Sequence, residues 1–187
     1  MKFYSHVDRL HSLKAGDVID KTVYRGECVL PMLMPFADED FLRHLDKLSK
    51  DGLSSHGARY LLKPGLGVGN EVRVTDFLLE LQFEYVRHIY YKSKPSRLQS
   101  LFAFDSYEEA ERFKAQTGGR GVICEIDAYG LCFIANRNHL KIDADPDAQK
   151  HRAMAYWEGQ RFSFDEHYSP DAEYLLELPA RVLYIHD

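Results

Sequence analysis

Cysteine is scarce in this 187-residue sequence, and the three present, Cys28, Cys124 and Cys132, are odd in number and far from metal-ligand spacing. That excludes a disulfide scaffold and a zinc-finger reading, and it fits reduced thiols in a cytosol, with Cys124 as a core residue on a strand. Long apolar runs are missing as well. Nothing approaches the roughly eighteen consecutive apolar residues of a membrane-crossing helix, and Met-Lys-Phe-Tyr-Ser-His at the N-terminus lacks the apolar core of a signal peptide. The expectation is a cytoplasmic protein, or one exported by a dedicated secretion system, with no membrane partner. Phosphate-binding glycine signatures are also wanting. Gly65-Leu66-Gly67-Val68-Gly69 lacks the G-x-G-x-x-G spacing and a clear βαβ context, so it reads as a flap and a candidate lid. There is no P-loop and no G-x-S-x-G elbow. Nine histidines show no H-E-x-x-H spacing, so no metal site is expected. Positive charge is not in excess: the net charge is −5, so the chain as a whole carries no nucleic-acid footprint, although a local basic groove remains compatible with it.

What is present suits one domain spanning 1–187. With 45% hydrophobic and 13% aromatic residues the chain can bury a core without staples. Lys2 to Val7 reads as a first strand, and Val18-Ile19 and Val23 to Gly26 as short further pieces. Asp38 to Lys50 has helical spacing, acidic at its start and basic at its end. Gly52 to Asn70 reads as a long loop. Thr75 would cap a helix presenting Phe77, Leu78, Leu81, Tyr85 and Ile89 on one face. Gly121 to Asp127 and Leu131 to Ala135 read as neighbouring strands, Asp145 to Trp157 as a helix ended by Gly159, and Tyr174 to Leu178 and Arg181 to Ile185 as two closing strands around Pro179. Strands scattered among helices without regular alternation argue an α+β fold.

The organising stretch is Pro95 to Phe113. Pro95 stops whatever precedes it, the helix itself ending near Tyr91. Ser96, Arg97, Gln99 and Ser100 place polar groups before the buried strand Leu101-Phe102-Ala103-Phe104, and Ser106 with Glu109 has capping-box spacing. A polar cluster at a strand mouth before a capped helix can hold ligand groups on a rigid frame, and it can equally be an ordinary loop, strand and helix. Two further candidates lie far away in sequence. In Tyr4-Ser5-His6 an imidazole could meet a sugar hydroxyl, although a lone histidine on a strand is more often structural. In Asp171-Ala172-Glu173 a carboxylate stands at the entrance of a buried strand, with a solvated acidic turn as the bland alternative. Arg25 is a second cationic candidate, with a plain surface arginine as the alternative, and the basic, tyrosine-interleaved segment Arg87, His88, Lys92, Lys94 and Arg97 could meet phosphates or be a solvated helix end. Tyr156-Trp157 offers an aromatic platform or plain core.

Taken in order, FYSHVDRLHSLKAGDVI, PSRLQSLFAFDSYEEAERF and AYWEGQ…DAEYLLELPARVLYI resemble a small group of bacterial and phage proteins related to ADP-ribosyltransferases. The resemblance spans the chain, least between Phe36 and Glu71. It implies split, strongly bent antiparallel sheets with flanking helices and NAD, as substrate, in the cleft between them. The positions that match are Tyr4 and His6 on the first strand, Ser96 or Ser100 in the middle, and Glu173 in the late D-x-E. Ser5 stands where the group often has its histidine, one step from His6. The implied roles are Glu173 and His6 as catalytic residues, and Tyr4, Ser96, Arg97 and Ser100 as NAD-binding residues, with the Arg97 fork on the pyrophosphate. A carboxylate would offset the positive charge that builds on the ribose as neutral nicotinamide leaves. The implied activity is ADP-ribosyl transfer to a protein or nucleic-acid acceptor by a toxin, effector or phage-defence component, with a possible antitoxin or immunity partner. The rivals are a non-catalytic binding or immunity module of the same fold and an NAD glycohydrolase.

Overall fold

The computed structural model describes residues 3–23, 38–62, 74–143, 145–159 and 171–186. Arg25, Cys28, the expected strand piece beyond Val23, and the Gly65–Gly69 segment lie outside the described residues. Within them the chain forms an α+β fold of two antiparallel sheets and five helices. None of the described helices is long and apolar enough to cross a membrane.

The first sheet has the order β1 (Phe3–Asp8), β4 (Val122–Ala128), β7 (Ala180–His186), β2 (Val18–Ile19). Its register sets Ser5 opposite Glu125 and His6 opposite Cys124, and a bulge interrupts β4 against β7 between Glu125 and Ile126. The second sheet has the order β3 (Ser100–Ala103), β6 (Ala172–Glu177), β5 (Cys132–Asn136). The two sheets meet where β1 crosses the end of β3: Ser5 N–H donates to the Phe104 carbonyl (2.9 Å) and Phe104 N–H to the Ser5 carbonyl (2.8 Å).

The two-residue period of a strand divides β6 between two cores. Tyr174 and Leu176, with Leu101 and Ala103, pack against Cys124, Ile126, Ala180 and Val182 of the first sheet. Leu175, with Phe133 and Ala135, packs against Phe83 and Val86 of α3 (Val74–Tyr90) and Ala153, Tyr156 and Trp157 of α5 (Pro146–Glu158). Apolar side chains therefore fill the space between the sheets, and Glu173, in register with Ala135, belongs to the helix-facing side. α4 (Tyr107–Gln116) covers Val7, Phe104 and Ile123, capped as its sequence predicts by Ser106 Oγ accepting from Glu109 N–H (3.2 Å).

Three expectations are corrected. The stretch read as loop contains α2 (Ser55–Leu61), started by Ser54, whose Oγ accepts from Gly57 N–H (3.2 Å) and donates to the Leu98 carbonyl (3.1 Å). Gly57 lets α2 lie directly on the turn Arg97–Gln99, because a Cβ there would fall on the Leu98 carbonyl oxygen. α3 also turns a different face inward. Leu78, Tyr85 and Ile89 are exposed, whereas Glu80, Phe83, Glu84, Val86 and Arg87 are buried. Thr75 lies inside that helix and does not precede it. α1 (Glu39–Asp51) keeps its expected face, burying Phe41, Leu45 and Leu48 under an Asp38 cap.

Candidate functional site

Polar residues on α3 at positions 80, 84 and 87 share one side of the helix, as their spacing requires. That side faces the mouth of β3. Arg97, 4% exposed, sits at the centre. Its Nε and one terminal nitrogen donate to the two Glu80 carboxylate oxygens at 2.9 Å each, a bidentate pair. Its other terminal nitrogen donates to Tyr156 Oη (2.5 Å) and to Glu173 Oε1, while Tyr156 O–H donates to the same Glu173 oxygen (2.5 Å). The guanidinium lies 4.7 Å from the Phe102 ring and 5.2 Å from the Tyr156 ring. His56 Nε2 stands 3.2 Å from Glu80, with its ring 4.6 Å from Phe102.

A second cluster abuts the first. The fully buried Glu84 carboxylate accepts from Arg87 (2.7 Å at closest) and Ser96 Oγ (2.8 Å) and lies 2.8 Å from His44 Nε2. Arg87 also donates to the Lys94 carbonyl (3.0 Å).

Electrostatics follow from this pairing. Burial alone would raise the Glu80 carboxyl. The Arg97 charge, then that of the nearby His56, together with the Arg97 hydrogen bonds, overrule it and hold Glu80 far below the usual carboxylate range. Glu84 is lowered in the same way, its burial outweighed by His44, Arg87 and Ser96. Burial disfavours the Arg97 cation, yet the Glu173 and Glu80 charges dominate and keep it protonated. Burial, then Glu173, raises the Tyr156 phenol well above its ordinary value, so it stays a donor.

The structure brings Arg97 and Glu173 into one buried network and sets Ser96 in the Glu84 cluster that abuts it. The Ser100 hydroxyl turns back to the Ser96 carbonyl (2.6 Å). His6 joins through the backbone: its Nδ1 lies 2.7 Å from the carbonyl of Phe102, whose ring packs on Arg97. Burial, acting first, lowers the His6 pKa, so the neutral imidazole donates that bond. Tyr4 stands apart in the core between the sheets, its ring 5.6 Å from that of Tyr174. Asp171, the other acid of the D-x-E, makes a bidentate pair with Arg137, Nε to Oδ2 at 3.0 Å and Nη2 to Oδ1 at 2.8 Å. The segment Arg87 to Arg97 is not a basic surface: both arginines point inward to glutamates, His88 lies 3.0 Å from Asp40, and Lys94 lies 4.7 Å from the Phe133 ring. Trp157 is fully buried, its indole N–H on the Phe83 carbonyl (2.7 Å).

The sequence reading missed Glu80, Glu84, His44 and His56. No local signal marked the two acids: Asp76, Glu80, Glu84 and Arg87 fall at helical spacing and read as an ordinary solvated polar stripe.

Fold and site together define an α+β protein whose second sheet is joined to two helices by a buried network of ion pairs ending on Glu173. Residues 4–187 match the family described as a protein of unknown function, DUF2441, and the chain belongs to that family. No curated protein matches the sequence.

Proposed function

We propose that this chain is an NAD-dependent ADP-ribosyltransferase of the bent, split-sheet type, with Glu173 as its catalytic carboxylate. The observation that carries the reading is the meeting of three segments far apart in sequence. His6 from the first strand, Arg97 from the central stretch and Glu173 from the late strand are linked through the backbone and ring of Phe102. NAD, when bound, supplies a ribose whose bond to nicotinamide breaks with development of positive charge. Glu173 would face that charge, and Arg97 and Tyr156 fix the direction of its carboxylate. The Arg97 fork does not suit the pyrophosphate, because Glu80 already holds it bidentately. Ser96 and Ser100 fit a supporting role, since both hydroxyls are spent on Glu84 and on the backbone.

A second reading, a binding or immunity module without turnover, is favoured by one feature: Glu173 is only 5% exposed and is already paired with a cation. NAD labelled in its adenylate moiety, incubated with the protein and with or without cell lysate, separates the possibilities. Label on a macromolecule supports transfer, free ADP-ribose supports the glycohydrolase, and intact NAD supports the module. Glu173→Gln should abolish turnover while near-ultraviolet circular dichroism stays native. An equally active variant removes Glu173 from the site.

A further inference from the structure

A second group of arginines is arranged oppositely to the first. Arg9 follows the end of β1, Arg59 lies on α2, and Arg137 follows β5. The Arg9 and Arg137 guanidiniums lie over the same Phe113 ring, at 5.2 and 4.4 Å. Arg59 lies 5.9 Å from the Tyr60 ring, and its Nε is buried with no hydrogen-bond partner among the described residues. Partial desolvation, and then the charges of Arg59 and Arg137, lower Arg9 from the ordinary guanidinium value. Asp171 neutralises Arg137. Among the described residues no carboxylate pairs with Arg9 or Arg59, and the group facing Arg9 that offsets the repulsion is the phenol of Tyr60.

Like charges held together in a chain of net charge −5, with acids abundant, cost free energy that an anion would recover. Planar guanidinium forks match phosphate oxygens, and rings beneath them fix their orientation. The patch lies at the same strand end as Glu173: Arg137 N–H donates to the Asp171 carbonyl (2.8 Å), two residues before it.

We propose that Arg9 and Arg59, braced by Arg137 on the Phe113 ring, form a phosphate-binding site for a small phosphorylated ligand. The site stands independently of whether Glu173 performs chemistry. The acidic balance of the whole chain favours a compact phosphate or pyrophosphate over a long polyanion.

The test is titration calorimetry of the full chain with inorganic pyrophosphate, NAD and a single-stranded oligonucleotide, alongside thermal unfolding with and without pyrophosphate. The proposal expects pyrophosphate to bind and to raise the melting temperature. Arg9→Ala and Arg59→Ala should each weaken binding roughly tenfold, as loss of a charge-assisted pair does. The double variant should keep the unaltered chain's melting temperature in buffer while losing the pyrophosphate-induced rise. NAD binding that follows the same variants assigns the phosphate to a dinucleotide, and a tighter, salt-sensitive oligonucleotide assigns it to a nucleic-acid strand. Pyrophosphate binding that is absent, or unchanged in both variants, overturns the proposal. So does a double variant that unfolds more easily in buffer, because the arginines would then be serving the fold. Glu173→Gln should bind pyrophosphate as the unaltered chain does, so loss of turnover and loss of the phosphate site are separately visible.

Discussion

Arg97 and the Arg9–Arg59 pair are the same side chain in opposite settings. Arg97 is buried, and its nitrogens are divided between two glutamates and a tyrosine. Arg9 is exposed, Arg59 is half-buried, and among the described residues they face other cations. A buried guanidinium is tolerable only when its donors are matched, so the first arrangement is what folding demands. The second is something folding alone would not select, because an exposed arginine can turn to solvent or to an acid. The lesson is that saturation marks architecture and unsaturation marks a place for a ligand. Glu173 is the residue that belongs to both descriptions, paired for the fold and placed at the strand end beside the open cluster.

The largest way to break this comparison is Arg97→Met. It leaves Glu80 and Glu173 buried without their cation, and breaking such a pair costs about 3–5 kcal/mol. Urea unfolding should show that loss, or no folded protein at all. A cost under about 1 kcal/mol would mean the network is not what joins α3 and α5 to the second sheet. Gly57→Ala should come next, at about 1–3 kcal/mol, because the new methyl meets the Leu98 backbone, which cannot yield as a side chain would. Since Leu98 adjoins Arg97 and α2 carries Arg59, this one substitution should disturb both arginine settings, read as a lower melting temperature together with weaker pyrophosphate binding.

Acid should separate groups by kind. His6 and His139 are both lowered by burial, so the unfolded chain binds protons more readily than the native one. Their contribution is complete above the unfolded histidine value of about 6.5 and is lost as pH falls below it. Glu80 and Glu84 are held low by their partners, so their contribution survives to about pH 4.5 and drains away below that. Urea midpoints measured from pH 8 to pH 3 should therefore fall in two limbs. His6→Gln should shrink the upper limb and leave the lower one. A single limb confined below pH 4.5 would show that neither histidine is held neutral by the fold.

Much of this frame was legible in the residues. Asp38, Ser106 and Gly159 marked helix ends because capping is local chemistry, readable over four residues. The strands around Cys124 and Leu175 were legible because buried strands are short apolar runs between breakers. The inward face of α3 was not, because Leu78, Tyr85 and Ile89 offer a stripe as apolar as the one the fold uses. Choosing between the two required knowing that Arg97, beyond the helix, would reach back to Glu80. Arg97 itself was singled out for its place at a strand mouth, and no local rule assigns its fork to a partner seventeen residues earlier. α2 was hidden because Gly57, a poor helix former, is there for a close backbone approach that only the tertiary structure reveals.

The smallest expected effect is the sharpest test of the contrast. Arg9→Gln removes a guanidinium resting on Phe113 yet relieves repulsion from Arg59 and Arg137, so the two contributions oppose each other. Stability should stay within about 0.5 kcal/mol of the unaltered chain, the range of surface changes that break no network. Raising salt should narrow even that difference, since screening acts on exposed charges. Parallel urea titrations at low and high ionic strength give the answer directly. A loss approaching that of Arg97→Met would mean Arg9 is held by partners as firmly as Arg97 is, and the distinction between a saturated and an open arginine would fail at the residue on which it most depends.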